Sequence, residues 1–189
     1  MPRNFGPEVI LDNPAFIHET ALIYGRVHIG EGSSLWPYVV IRSEMYEVRI
    51  GQRTNIQDFV MVHVGAHTPT IIGDNCSITH HCTIHGAEIG DNCLIGINST
   101  IMDGAKIGAN SIVAGHSIVT ENTIIPENSI VAGAPAKVIR TRDNRVANMM
   151  NAHFYYENAL AYGRGDHRVA TDPAYAAASA ELYALLTAS

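Results

Sequence analysis

Residues 72–95 read IGDNCSITHHCTIHGAEIGDNCLI, and the spacing of the aliphatic residues in this run decides the fold. Ile72, Ile78, Ile84, Ile89 and Ile95 follow one another in steps of six, six, five and six. The beat continues in both directions. Downstream it falls on Ile101, Ile107, Val113, Val119, Ile125 and Val131, and upstream on Ile17, Ile23, Ile29, Leu35, Ile41, Ile50, Ile56 and Val62. A period of six held over more than a hundred residues marks a hexapeptide-repeat parallel β-helix, an all-β solenoid in which three hexapeptides make one triangular coil. The repeat runs from Phe16 to about Val138 with 19 rungs, or roughly six coils. Glycine often follows the aliphatic residue and Asn or Asp comes next, as in Gly73-Asp74-Asn75. Such residues accept the tight or left-handed backbone that the prism corners need.

Two insertions break the count, SEMYEV after Arg42 and VGAHTPT after His63, and both are expected to form loops beside the solenoid. With its insertion of four subtracted, the separation of 22 between His63 and His85 becomes one full coil. The two imidazoles then stand on one face in neighbouring coils, about 4.8 Å apart. Arg42 and Met102 share their column, while Asp58 and His80 stack on the adjacent face, with Gln57 just before Asp58. Three neutral imidazoles are a standard set for a catalytic divalent ion with one open position. His80 points away from the other two, so one chain cannot easily unite them. Two prisms side by side can, and closing that contact with cyclic symmetry gives a homotrimer with interfacial sites. His18, His28, His116, His153 and His167 read as surface or core residues, and His67 and His81 as neighbours of the site rather than ligands.

The remaining features are those of an ordinary soluble chain. At 189 residues it is long enough for one sizeable core. Its charge of −6 argues against nucleic acid or an anionic membrane as partner. MPRNFGPEVI lacks the form of a secretory signal, and no apolar run approaches a membrane span, so a cytoplasmic location is expected. Cys76, Cys82 and Cys93 each fall four residues after a rung aliphatic, which makes them interior filling. Residues 1–14 read as a lead-in whose prolines deny a regular ladder. Residues 1–140 are expected to form the solenoid domain and 141–189 a helical segment packed on it. The first helix spans about Thr141–Tyr162, with Val146, Met149, Met150, His153, Phe154, Ala159 and Tyr162 near helical spacing. Asp172-Pro173 then has the form of a cap and first residue of a second, Ala-rich helix.

The runs Arg42-Ser-Glu44…Arg49-Ile-Gly, Asn55-Ile-Gln57-Asp58…Val62-His63 and Ile72-Gly-Asp-Asn…His80…His85-Gly resemble the γ-class carbonic anhydrases. The likeness continues through Met102-Asp103-Gly104, Gly133-Ala-Pro135-Ala-Lys137-Val and Tyr155…Tyr162, covering nearly all of 10–163. The resemblance implies a left-handed β-helix, a homotrimer, and zinc (or iron or cobalt) held by His63, His80 and His85. It also implies an orienting role for Gln57, a catalytic carboxylate at Asp58, a catalytic phenol at Tyr155, and an inter-subunit salt bridge from Arg42 to Glu44. Glu44 stands where the family carries Asp. Met45 replaces a proton-shuttling glutamate, and residues 64–70 contain no acid.

The activity implied is the reversible hydration of CO₂ to bicarbonate by a metal-bound hydroxide at subunit interfaces, since a bound divalent ion brings the pKa of its water to about 7. An acyltransferase, or a homologue acting on CoA thioesters, is the alternative, with His116 as a conceivable base. A metal-stabilised subunit without catalysis is a third reading.

Overall fold

The computed structural model describes residues 4–188 and is a parallel β-solenoid followed by two helices. The rung residues behave as their spacing demands. Of the 19, all but the partly buried Ile17 are 4% exposed or less. They stack in register, Ile56 on Ile78, Ile78 on Ile95, Ile95 on Val113 and Val113 on Val131. Each buried aliphatic side chain contributes about 1.5–3 kcal/mol through removal from water. No single coil encloses its own core, so the coils stabilise one another by stacking. Cys76, Cys82 and Cys93 are buried in this interior as free thiols. Burial, and then the neighbouring Cys93, pushes the Cys76 thiol well up, so it stays protonated and inert.

The ladder begins earlier than the prolines suggest. Val9–Leu11 pairs in parallel with Val27–Ile29, because Pro7 lies before the strand and withholds no ladder donor. The SEMYEV insertion departs from expectation only in part. It lies within one 11-residue strand, Val40–Ile50, whose two ends pair with Leu22–Ile29, while residues 44–47 have no partner there and bulge outward opposite Arg26. That strand crosses a prism corner unbroken, bonding to Met61–His63 at one end and Thr70–Ile72 at the other. Two faces thereby merge into one 11-stranded sheet, and the third is an eight-stranded sheet.

Asparagine turns one corner repeatedly. Asn75, Asn92, Asn110 and Asn128 take φ between 52° and 59°, the left-handed region that Asn tolerates. Their side chains form a ladder, Asn92 Nδ2 donating to Asn110 Oδ1 at 3.1 Å and Asn110 Nδ2 to Asn128 Oδ1 at 3.3 Å. The glycine of the same turns serves close approach instead. A Cβ on Gly73 would lie 2.8 Å from the Asp91 backbone nitrogen.

The chain closes with Ser129–Gly133 folding back antiparallel onto Ala136–Thr141, which covers the end of the eight-stranded sheet. Helix α1, Arg145–Gly163, lies across that same sheet. Its fully buried residues are Asn148, Ala152, Ala159 and Ala161, a narrower and more polar stripe than the hydrophobic pattern suggested. Asn148 Nδ2 donates to the carbonyls of Asn92 at 2.8 Å and Ser111 at 3.2 Å, and Asn144 Nδ2 donates to that of Asn110 at 3.1 Å. Helix α2, Pro173–Thr187, starts at the expected cap, where Asp172 Oδ1 accepts from the Ala174 backbone at 2.8 Å. It packs on α1 and on the turn Val169–Thr171. Among the described residues no helix is long and apolar enough to cross a membrane.

Candidate metal centre

Backbone pairing places Arg42 beside His63 and His63 beside His85, three coils of one column as the count required. The side chains then converge. His63 Nδ1 and His85 Nε2 face each other at 3.0 Å. The far nitrogen of each ring meets a carboxylate. His63 Nε2 lies 2.8 Å from Glu44 Oε2, and His85 Nδ1 bonds to Asp103 Oδ1. A pocket of about 340 Å³ opens over this pair, lined by Arg42, Glu44, Met45, His63, Gly65 and His85 among others.

On the next face His80 Nδ1 lies 3.0 Å from Asp58 Oδ2, again one coil apart. With Nδ1 donating to that carboxylate, His80 Nε2 is left with its lone pair, and no group among the described residues bonds to it. Among the described residues of one chain, no three His, Cys, Asp or Glu side chains are arranged to hold a metal ion. His80 is thus not brought together with His63 and His85 within the single chain.

The electrostatics of the pair decide what fits between the rings. A carboxylate accepts a proton from the outer nitrogen of each imidazole, so the two inner nitrogens present lone pairs toward each other. Lone pairs facing across 3.0 Å repel unless a cation, a proton or a metal, sits between them. A tetrahedral zinc with bonds of about 2.0–2.1 Å needs its donors about 3.3 Å apart, so a few tenths of an ångström of opening would admit it. The two imidazoles, their carboxylate partners and this spacing fit a divalent metal.

Gln57 is 1% exposed and its Nε2 donates to Asn55 Oδ1 at 2.9 Å, leaving Oε1 as its free acceptor. Tyr155, on α1, stands edge-on to Trp36 at 5.7 Å. Burial, then the Asp58 carboxylate, raises its phenol pKa, so it is a proton donor at neutral pH. Arg42 Nη1 bonds to Glu44 Oε1 within the same chain. Burial pushes the Glu44 carboxyl up, but the His63 hydrogen bond and the Arg42 charge outweigh it, and the net shift is down.

The other histidines separate cleanly. His18 and His28 bond to Thr20 and Asp12, His153 is wedged between the helices, and His167 lies against Tyr162. His67 and His116 are exposed. His81 stacks on Phe59, which stacks on Tyr38, each pair at 4.9 Å. Sequence reasoning missed Asp103 as a partner of the site.

Residues 86–121 match the family described as bacterial transferase hexapeptide (six repeats). Gamma carbonic anhydrase 1, mitochondrial, from Arabidopsis thaliana is 42% identical over 106 residues, 53% of this chain and 38% of that protein. The match thus spans well under half the length of that relative. Gamma carbonic anhydrase 3, mitochondrial, from the same plant is 43% identical over 184 residues, 93% of this chain and 69% of that protein. Among solved structures, a Bacillus cereus protein described provisionally as an acetyltransferase superposes with a TM-score of 0.81 at 32% identity, covering 85% of this chain and 96% of that one.

Proposed function

Because the chain belongs to the family of the γ-class carbonic anhydrases, we propose that it holds a divalent metal between copies of itself and hydrates CO₂ reversibly to bicarbonate. The observation that carries this reading is the pair of inner nitrogens, His63 Nδ1 and His85 Nε2, opposed at 3.0 Å with a carboxylate behind each ring. His80, backed by Asp58 on another face, supplies the third imidazole from a neighbouring chain, and cyclic closure makes a homotrimer. Zinc suits three imidazoles, as do iron and cobalt. When bound, the ion acidifies water so that hydroxide is available at neutral pH.

The chain's own residues do the rest. Gln57, fixed by Asn55, offers Oε1 to a proton of the incoming water and so orients the oxygen lone pair toward CO₂. Asp58 keeps His80 in the tautomer whose Nε2 is free. Tyr155 holds its proton and can donate a hydrogen bond to a bicarbonate oxygen. Arg42 and Glu44 set the charge beside His63. No acid in residues 64–70 carries the proton away, so it leaves through buffer or the exposed His67. Turnover should therefore rise steeply with buffer concentration. The free, buried cysteines agree with a reducing compartment such as the cytoplasm.

The experiment is elemental analysis of anaerobically purified protein, with CO₂ hydration measured before and after metal reconstitution. Near-stoichiometric metal and activity restored by it are expected. A protein without metal, whose activity ignores both chelator and buffer, contradicts the reading.

A second reading, acyl transfer, is favoured by the description of the Bacillus cereus neighbour and by the transferase repeat match. His116, exposed at a corner, is its candidate base. Retention on a CoA column without metal dependence would select it. Metal with neither activity would select a purely structural subunit.

A further inference from the structure

The geometry points to Asp103 as the positioning residue that makes His85 a metal donor, with the 64–70 insertion folded to hold Asp103 in place. This rests on the metal reading above and adds a residue to it. Asp103 lies at the corner below His85, and its Oδ1 accepts the proton of His85 Nδ1. That bond fixes the tautomer and turns Nε2, with its lone pair, toward His63 Nδ1 at 3.0 Å. Without the carboxylate, His85 is free to carry its proton on Nε2, which then has nothing to give an ion.

The insertion after His63 is tied to this corner on every side. The His63 carbonyl accepts from Thr70 Oγ1 at 2.5 Å and from the Gly86 backbone at 3.0 Å. Gly86 N–H also reaches Thr70 Oγ1 at 2.9 Å, and the Gly86 carbonyl accepts from Gly104, the residue after Asp103, at 2.7 Å. The loop closes on itself through Gly65 N–H and the Thr68 carbonyl at 2.9 Å. Three coils are thus cross-linked around the Asp103–His85 bond.

Two glycines make the contact possible. A Cβ on Gly65 would lie 2.8 Å from Asp103 Oδ2 and 2.3 Å from Thr68 Oγ1. On Gly86, at φ +59°, a Cβ would lie 2.8 Å from the Gly65 nitrogen and 2.3 Å from Thr68 Oγ1. The loop therefore packs against the Asp103 carboxylate at a distance only a bare backbone allows. Its job is to confine the carboxylate as well as to bridge two rungs.

The test is Zn²⁺ affinity by chelator competition on full-length apo protein, with apo melting temperature and the visible spectrum of the Co²⁺ form read alongside. Asp103→Asn keeps the shape but lets the side-chain amide face the ring, and should weaken Zn²⁺ about 10–100-fold while leaving the apo melting temperature in place. Asp103→Glu should recover part of the loss. Gly65→Ala, which removes no charge, should also weaken Zn²⁺ and shift the Co²⁺ bands. Wild-type affinity in Asp103→Asn overturns the inference. So does a loss that tracks a fall in melting temperature and that Asp103→Glu leaves unrepaired. If wild-type protein takes up no Zn²⁺ at all, the metal reading itself fails, and the inference goes with it.

Discussion

Single residues divide into those whose role follows from counting and those whose role does not. Ile78 is fully buried and stacked between Ile56 and Ile95. Ile78→Ala should cost about 2–5 kcal/mol in urea unfolding, as expected for a large core truncation. At the corners the cost runs the other way. Tyr38, Phe59 and His81 all sit at φ 60°, where bulky side chains are strained and Asn is tolerated. Phe59→Asn should therefore stabilise the isolated chain by about 1 kcal/mol, seen as a higher denaturation midpoint. An unchanged or lower midpoint would mean that the ring stack outweighs the backbone strain. The histidine column was legible because rung number fixes the face. Asp103 was not, for a definite reason. The five-residue step from Ile84 to Ile89 shortens that coil, so Ile84 pairs with Ile101 and Met102 follows His85 in the column. Counting pointed one residue short of the carboxylate.

At the scale of elements, periodicity gave the strands and composition misled about the joins. SEMYEV looked like a loop because it interrupts the sixes. Its ends, Ser43 and Val48, are buried and pair with Gly25 and Val27, while residues 44–47 between them bulge out unpaired, so the strand continues past the corner around a protruding insertion. Helix α1 was legible as a helix but not in its docking, since asparagines bonding to solenoid carbonyls leave no hydrophobic period. The contact between α1 and α2 carries a pH dependence. His153 is nine-tenths buried, stacked with Tyr175 of α2, and both its ring nitrogens are buried without a hydrogen-bond partner. Burial lowers its pKa, with Glu157 opposing and Arg53 reinforcing. The unfolded chain thus binds the proton more readily, so this contribution is complete above the ordinary histidine range and declines as pH falls through it. Protection of the 173–187 amides, after correction for the intrinsic pH dependence of exchange, should fall at acid pH, and His153→Phe should remove that fall. Equal protection factors at acid and neutral pH in the wild type would contradict the assignment.

The whole molecule is a stacked column that carries two histidine–carboxylate clusters on different faces. Stacked coils place His63, His85 and Asp103 on one side and Asp58 and His80 on another, and among the described residues of one chain they form no three-ligand cluster. The design makes sense if the complementary half comes from a second copy, and that is the central claim. Mixing two defective chains tests it directly. His80→Ala keeps the His63–His85 pair, and the double variant His63→Ala/His85→Ala keeps His80. Each alone should bind no Zn²⁺. Co-refolded in equal amounts, every mixed trimer regains one intact site, so Zn²⁺ content should recover to about one quarter of wild type. If the mixture binds no more metal than its separate components, or if His80→Ala alone retains full occupancy, the ligands are not shared between chains.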